Sequence, residues 1–270
     1  MLPVNLFVIR HGESLGNLAK RMSERGDNSL LEKLHGTHTA HWPLTKKGVE
    51  QAKAAGAFMN ALSVEQKMFF NRIYVSSFAR AMETAGHLDL PSAGWLIEDR
   101  ITERNWGSFD HLTEEERQEK FGNLLDMRQV EPFFWSPPDG EDFNNLVMRI
   151  RNFITSMDRV EINENVVVVC HGEVMKAFRI VFTHMKPWEY ADMEFSKESL
   201  QRIHNCQIDH YSRRDPEKHE VSRRLEWLQV YRPAEGQGIV IPWHNLPQKR
   251  MSSDELLAIA GKLSKDLPDL

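Results

Sequence analysis

Short apolar runs alternate with amphipathic segments over the first two thirds of the chain. Residues 5–9 and 166–170 are nearly uninterrupted apolar runs, which is typical of strands buried on both faces. The clearest helix is predicted over 143–157, where apolar side chains recur at steps of three and four residues. Weaker patterns predict a helix from Ser14 towards Met22, helices over 46–62, 79–87 and 173–185, and a strand over 72–76.

The intervening segments carry polar and turn-forming residues. Residues 27–42, with three histidines, and the proline-rich residues 132–140 show little periodicity and are predicted to be loops. Thr113 precedes three glutamates, which predicts the start of a helix because acidic side chains in a first turn favour the helix dipole. Ser76 and Ser77 are expected to cap the helix over 79–87.

The last third of the chain follows a different pattern. Alternating segments over 201–211 and 223–231, separated by the charged residues 213–218, predict a β-hairpin. Ser252 and Glu255 form a capping box before apolar positions, so the chain is expected to end in a helix.

Strands that alternate with helices up to residue 185 favour an α/β fold. We expect a three-layer α/β/α sandwich with a mostly parallel central sheet, because crossover helices cover both faces of such a sheet. No shift in composition marks a linker. Residues 1–250 are therefore interpreted as a single domain, and residues 251–270 as a C-terminal helical tail.

The composition excludes several classes of protein. The 270 residues are 41% hydrophobic and 27% charged, with a formal net charge of -5. These values exclude wholesale disorder and give the surface as a whole no electrostatic reason to coat nucleic acid or an anionic membrane. Cys170 and Cys206, the two cysteines, cannot build a disulfide framework, and no signal peptide or membrane-spanning run is recognisable. We expect a cytoplasmic protein without nucleic-acid or membrane partners.

A strand–histidine–glycine–glutamate pattern occurs twice. His11-Gly12-Glu13 follows the run over 5–9, and His171-Gly172-Glu173 follows the run over 166–170. The carboxyl ends of parallel strands form a ligand crevice, and each following helix points free N–H groups into it. A single histidine in such a place is commonly structural, but the repeat indicates one shared site.

Arg10 and Arg80 indicate what that crevice would bind. Arg10 precedes the first histidine, and Arg80 falls in the first turn of the helix predicted over 79–87. The helix dipole disfavours a cation in the first turn, so an arginine there calls for an anion. The same guanidinium groups would repel a divalent cation, which argues against a His-His-carboxylate metal site. The residues predict a phosphate pocket with no metal and no other cofactor.

Five motifs, in order, resemble the histidine phosphatase superfamily, which includes the cofactor-dependent phosphoglycerate mutases. They are Arg10-His11-Gly12-Glu13-Ser14 with Asn17, Pro43-Leu44-Thr45 with Gly48 and Gln51, Ser76-Ser77 through Arg80 to Ala85, Glu103 to Gly107, and His171-Gly172. The resemblance spans residues 4–185 and continues weakly into the hairpin. It implies a phosphoglycerate mutase-like catalytic domain with specificity insertions near 18–42, 105–138 and 186–222.

The resemblance also implies roles for single residues. His11 would attack phosphorus to form a phosphohistidine, and Glu103 would serve as general acid and then as general base. The phosphoryl group would be bound by Arg10, Arg80 and His171. Further substrate-binding residues would be Glu13, Ser14, Asn17 and Gly172, the last two as hydrogen-bond donors. Alternatives to Glu103 are the nearby acids Glu98, Asp99, Asp110 and Glu114.

Three functions are compatible with these residues. Water accepts the phosphoryl group in a phosphatase, and a substrate hydroxyl accepts it in a phosphoglycerate mutase. A non-catalytic phospholigand-binding scaffold is disfavoured by the complete residue set. Residues 103–107 resemble the mutases, whereas residues 137–142 and the hairpin resemble the phosphatase branch, and residues 26–42 depart from the mutase pattern. The resulting prediction is a phosphomonoester hydrolase of the phosphatase branch.

The partner of this hydrolase would be a small phosphorylated substrate. Sugar phosphates, nucleotides and phosphoproteins all remain open. The insertions carry tryptophans that could stack on a ring or anchor packing: Trp42, Trp106, Trp135 and Trp188. The C-terminal helix could pack on its own domain or on the second subunit of a homodimer.

Overall fold

Seven strands form one sheet in the part of the chain that the computed structural model describes, namely residues 2–91, 94–157, 164–195, 202–236, 238–246 and 250–263. They are β1 (Asn5–Arg10), β2 (Arg72–Val75), β3 (Trp95–Ile97), β4 (Asn165–Cys170), β5 (Ile208–Ser212), β6 (Trp227–Arg232) and β7 (Ile239–Asn245). Their order is β3-β2-β4-β1-β5-β6-β7. The first four strands in this order run parallel, and each of the last three is antiparallel to the strand before it. The predicted α/β class with a parallel sheet centre is confirmed.

Helices connect most of these strands. Within the same ranges they are α1 (Leu15–Ser23), α2 (Ser29–Leu34), α3 (Lys46–Glu65), α4 (Ala79–Leu88), α5 (Glu114–Val130), α6 (Phe143–Met157), α7 (Gly172–Thr183), α8 (Pro187–Phe195) and α9 (Ser253–Leu263). None of them combines the length and apolar character that a membrane crossing requires. The helices predicted over 46–62, 79–87, 143–157 and 173–185 are α3, α4, α6 and α7.

Two hydrophobic cores sandwich the sheet, because successive residues of a strand point to opposite faces. Leu6 and Val8 of β1 belong to the core that contains α6 and α7. Phe7 and Ile9 belong to the core that contains α3 and α4. Burial on both faces explains the apolar run of β1, and β4 divides its valines in the same way. The expected three layers are therefore present.

Adjacent parallel strands bring three chain segments to one edge of the sheet. Arg10, the last residue of β1, is in register with Cys170 at the end of β4. Val75, the last residue of β2, is in register with Val169. The next residue along each chain segment therefore lies at the carboxyl edge, where a parallel sheet forms its crevice.

The prediction of a loop over residues 27–42 is wrong in part. This segment contains α2 and a single 3₁₀ turn at Thr39–His41. Leucines of α2 pack with Ala19 and Trp42 in a small separate core. A helix of six residues is too short to show helical periodicity, so its apolar residues gave no clear pattern.

Several elements at the margins of the fold have weak sequence signals. β3 is a three-residue edge strand, β7 is the opposite edge and contains Pro242, and α8 begins with Pro187. The hairpin is confirmed as β5 and β6, but its first strand begins at Ile208; residue 201 lies outside the described residues. The terminal helix and its capping box are present as α9, while residues 264–270 of the predicted tail lie outside the described residues.

Gly56→Ala tests the close crossing of α3 and α4. A Cβ atom at Gly56 would lie 2.3 Å from the carbonyl oxygen of Leu88, whereas one at Gly86 would meet nothing within 4 Å. Both substitutions gain about 0.5–1 kcal/mol from replacing a helical glycine. We expect Gly86→Ala to keep or raise the free energy of unfolding, and Gly56→Ala to lower it by about 1–3 kcal/mol in urea denaturation. Equal stability of the two variants would contradict the crossing.

Candidate active site

The imidazole of His11 lies at the wall of a cavity of about 1500 Å³ and is only 2% exposed. Its Nδ1 lies 2.6 Å from the carbonyl oxygen of Gly12. A carbonyl oxygen can only accept a hydrogen bond, so Nδ1 carries the proton and the lone pair of the neutral ring is at Nε2. Nε2 in turn accepts a hydrogen bond from Nε of Arg80 at 3.2 Å.

Burial keeps both histidines of the crevice uncharged. It lowers the pKa of His11 well below 6.5, and the positive charges of Arg80 and Arg10 lower it further. Burial, Arg80 and His11 act in the same direction on the pKa of His171. The two ring centroids are 5.1 Å apart, so the structure brings the two histidines of the repeated motif together. An uncharged His11 with its lone pair at Nε2 is chemically equipped to act as a nucleophile.

Arg80 is held as an unusually buried cation. It is the second residue of α4, its Nη1 donates to the carbonyl oxygen of Thr39 at 2.7 Å, and its guanidinium lies 4.9 Å from the ring centre of Phe78. Burial lowers the pKa of Arg80 to about 10, so it remains charged at neutral pH. Thr39 lies within residues 18–42, a segment predicted to carry a specificity insertion.

The expected helix cap at Ser76 and Ser77 is wrong. The N-cap residue of α4 is Phe78, which makes no side-chain cap, while Ser76 Oγ accepts from the N–H of Phe78 at 3.3 Å. Ser76 Oγ also lies 2.8 Å from Nε2 of His171. Its position directly after β2 brings it to the crevice, so Ser76 orients His171.

Arg10 lies beside the N-terminus of α7. Its Nη1 donates to the carbonyl oxygen of Ile203 at 2.6 Å. Its Nε is buried without a hydrogen-bond partner among the described residues, and a Cβ atom at Gly172 would be 3.5 Å from it. A guanidinium N–H in this state is available to an anion. Arg10, His171 and Gly172 themselves are not among the residues that line the cavity.

Glu103 lines the same cavity as His11 and Arg80. Its Oε1 accepts from the N–H of Arg104 at 3.0 Å. Burial raises the pKa of Glu103 and the negative charge of Glu173 raises it further, against the opposing effect of Arg80 and Arg10. A carboxyl group in such surroundings can hold a proton closer to neutral pH than an exposed one, as a general acid must.

Asp110 is the one alternative acid that shares these properties. It lines the cavity, and burial raises its pKa. Glu98 is bound by Arg100, which lowers its pKa, and neither Glu98 nor Asp99 lines the cavity. Glu114 lines it but is exposed and paired with Arg117.

The structure separates Glu13 from the rest of its motif. Its carboxylate accepts from Thr45 Oγ1 at 2.9 Å and pairs with Arg21, and it does not line the cavity. Gly48 allows this packing, because a Cβ atom there would lie 2.1 Å from the carbonyl oxygen of Glu13. Glu13 thus ties the segment after β1 to the start of α3, and its substrate-binding role stays a prediction.

Ser14 and Asn17 both line the cavity and form a capping box at the start of α1. The amide oxygen of Asn17 accepts from the N–H of Ser14 at 3.3 Å and from Nδ2 of Asn205 at 3.1 Å. Both contacts are made by the amide oxygen of Asn17, so the N–H donors of this amide group point elsewhere.

Asn205 is a site residue that the sequence analysis missed. Its Nδ2 also donates to the carbonyl oxygen of His11 at 3.1 Å, so one amide fixes both the histidine backbone and Asn17. Asn205 lies just before β5, the antiparallel neighbour of β1. The only signal that could have found it is the predicted hairpin, once β5 is placed beside β1.

A network of hydrogen bonds, ion pairs and aromatic rings supports the part of the cavity wall around Arg104. Arg104 donates to the carbonyl oxygens of Glu141 at 2.8 Å and Trp135 at 2.9 Å, and its guanidinium lies 4.8 Å from the ring centre of Trp106. Trp42 and Trp135 are buried and serve as packing anchors. In the described part of the chain, no three histidine, cysteine or acidic side chains are grouped closely enough to hold a metal ion.

Known proteins share this architecture. Among curated proteins, the 6-phosphofructo-2-kinase/fructose-2,6-bisphosphatase of Gallus gallus is 28% identical over 180 residues, which cover 67% of this chain and 33% of that protein. The corresponding isoform 4 of Homo sapiens is 27% identical with the same coverage. The chain thus spans about a third of the length of these relatives.

Solved structures agree in fold. The alpha-ribazole phosphatase of Shigella flexneri has a TM-score of 0.59 at 20% identity, covering 82% of this chain and 95% of that one. Bacillus stearothermophilus YhfR has a TM-score of 0.59 at 24% identity, covering 80% and 94%. The family model of the histidine phosphatase superfamily (branch 1) matches residues 6–212. The chain therefore belongs to the histidine phosphatase superfamily.

Proposed function

We propose that this chain is a phosphomonoester hydrolase that works through a phosphohistidine on His11, with Glu103 as general acid and base. One observation carries the proposal: an uncharged His11 has its lone pair at Nε2, next to the buried cation of Arg80. The proposal includes a small phosphorylated substrate, no metal requirement and a cytoplasmic location.

In the first step, Nε2 of His11 attacks phosphorus and the ester P–O bond breaks. Arg80 exchanges its hydrogen bond to Nε2 for one to a phosphoryl oxygen, and Arg10 and His171 stabilise the other oxygens. Glu103 transfers its proton to the departing oxygen, so the alcohol leaves neutral and Glu103 becomes a carboxylate.

In the second step, water attacks the phosphohistidine. Glu103 now takes a proton from the water, the P–N bond breaks, and inorganic phosphate leaves while His11 regains its lone pair. The proton that Glu103 gave away is restored, so the cycle balances without a cofactor.

The phosphoglycerate mutase alternative differs only in the acceptor. Relatives whose names include fructose-2,6-bisphosphatase support hydrolysis, whereas residues 103–107 resemble the mutases. Both reactions pass through the same phosphohistidine, so only the fate of the phosphoryl group separates them.

The protonation state of His11 is directly measurable. Because its pKa is lowered well below 6.5, its ring should stay neutral at pH 6, where an ordinary histidine is mostly protonated. Nitrogen NMR of the imidazoles at pH 6 should show a neutral ring with the proton on Nδ1, a signal that disappears in His11→Gln. His87→Gln, at the exposed end of α4, is the control that should retain it. A protonated His11 at pH 6 would contradict the assigned state.

Trapping the intermediate tests the proposed function. With a radiolabelled phosphomonoester, rapid acid-free quenching should capture alkali-stable, acid-labile label on the wild-type protein and none on His11→Gln. His87→Gln should be labelled like the wild type. The label should be released as inorganic phosphate.

The phosphoryl acceptor decides between the two reactions. With 3-phosphoglycerate and its bisphosphate primer, isomerisation without release of phosphate would show that the chain is a mutase and not a hydrolase. Label that persists in His11→Gln would move the nucleophile to another residue.

A comparison of Glu103→Gln with Asp110→Asn tests which of the two residues is the general acid. A general acid matters most when the leaving group is a poor one, so Glu103→Gln should lower kcat for alkyl phosphates by about 10²–10⁴-fold. It should lower the rate of phosphohistidine formation from p-nitrophenyl phosphate much less, because a nitrophenolate leaves without a proton. Asp110→Asn should show no such difference between leaving groups; the reverse result would make Asp110 the acid.

A further inference from the structure

The cavity is larger than its reaction requires. His11, Arg80 and Glu103 line it where a phosphoryl group would be bound, and its volume of about 1500 Å³ far exceeds the space that this group would fill. That remaining volume would hold the alcohol part of the substrate. The charges on its walls therefore decide which phosphomonoesters enter, provided that the proposed function holds.

Most of the other cations that line the cavity are already paired with carboxylates. Among the described residues six of them line the cavity apart from Arg80: Lys20, Arg104, Arg117, Arg128, Arg149 and Lys176. Arg149 lies 2.8 Å from Glu141, and Arg128 lies 2.8 Å from Glu194. These carboxylates belong to the same wall, so the pairs present little net charge to a ligand.

The remaining cations are also paired with carboxylates, except for Lys20. Lys176 bridges Glu173 at 2.8 Å and Glu194 at 2.7 Å. Arg117 pairs with Glu114 at 3.3 Å, and Arg104 lies 3.8 Å from Glu173. Lys20 alone has no carboxylate partner among the described residues, and it is exposed at the rim.

Carboxylates outnumber these cations. Eight of them line the cavity within the described ranges. Glu114, Glu141, Glu173 and Glu194 are paired, whereas Glu24, Glu103, Asp110 and Glu115 form no ion pair with another described residue. A second phosphate would bring a further charge of about −1.5 to −2 at pH 7. Apart from Lys20, and from Arg80, which the reacting phosphoryl group would occupy, every cation among the described lining residues stands beside a carboxylate, so binding a second phosphate would place like charges together.

The walls are well supplied with hydrogen-bonding groups instead. Asn105, Gln118 and Asn145 line the cavity together with the paired ions. Trp106 is the only tryptophan on the wall besides the buried Trp42 among the described residues, and guanidinium groups of Arg104 and Arg128 lie 4.8 Å and 5.3 Å from its ring centre. A wall of this kind suits hydroxyl groups better than a stacked aromatic base.

We propose that the substrate is a monophosphate of a neutral, hydroxyl-rich compound, such as a monophosphorylated sugar, and that bisphosphates are rejected. This selectivity differs from the bisphosphatase activity in the names of the curated relatives.

The test compares sugars phosphorylated on the same primary hydroxyl, with and without a second phosphate. For glucose and for fructose, kcat/KM for the monophosphate should exceed that for the bisphosphate by at least about tenfold. The preference should shrink as salt is added, because screening weakens the repulsion. Equal or greater kcat/KM for the bisphosphate would overturn the inference.

A charge reversal at the rim provides a variant test. Glu24 caps the C-terminal end of α1 near Lys20, where a cation also suits the helix dipole. Glu24→Lys should lower KM for the bisphosphates by about two- to fivefold relative to the monophosphates. Glu65→Lys, at the end of α3 and away from the cavity, is the matched control and should keep the wild-type ratio. An unchanged ratio in Glu24→Lys would contradict the electrostatic origin of the preference.

Hydrolysis of p-nitrophenyl phosphate separates the two proposals. If it is hydrolysed and the sugar monophosphates are not, the substrate class is wrong while the phosphatase function stands. If no phosphomonoester is hydrolysed, the proposed function is wrong and the inference falls with it.

Discussion

The register between β1 and β4 is the constraint on which the site depends. Arg10 is paired with Cys170, so the next residues, His11 and His171, leave the sheet side by side. A shift of one residue would turn the apolar side chains of β1 to the wrong core and carry the histidine with them. The two cores that hold this register therefore also hold the distance between the imidazoles.

Burial shifts the pKa values of neighbouring groups in opposite directions. Burial disfavours the charged form of any group, so it lowers the pKa of His11 and raises the pKa of Glu103. Arg80 stays charged because a guanidinium gives up its proton only far above neutral pH, even after burial has lowered its pKa to about 10. A histidine that favours its neutral form, a carboxyl group whose pKa is raised and a guanidinium cation thus coexist in one cavity.

The cavity wall around Arg104 and Arg128 reflects a different constraint. Its cations hold chain segments together: Arg104 bonds two carbonyl oxygens, and Arg128 joins α5 to α8 through Glu194. No side chain of α5 is fully buried, and such polar contacts help to position this helix together with the contact of Phe121 with Phe109. A cation that is paired with a neighbouring carboxylate presents little net charge to a ligand. The ion pairs that hold the wall together therefore also weaken its attraction for an anion.

Local patterns along the sequence were sufficient to predict the central elements and to select the candidate site residues. Continuous apolar runs identified β1 and β4, helical spacing identified α6, and the histidines and arginines next to them indicated an anion site. Short or marginal elements such as α2, β3 and β7 were missed, because three to seven residues at an edge carry too little periodicity.

By itself, then, the sequence determined which residue types follow which strands, since that depends on near neighbours in the chain. Only the tertiary structure decided which nitrogen of His11 carries the proton, that Ser76 meets His171, and that Asn205 holds His11 from 194 positions away. It also decided which cations of the cavity are paired, and that Glu13 turns away from it. Those properties arise from the order of the strands and the packing of distant segments, which bring together groups that no local spacing relates.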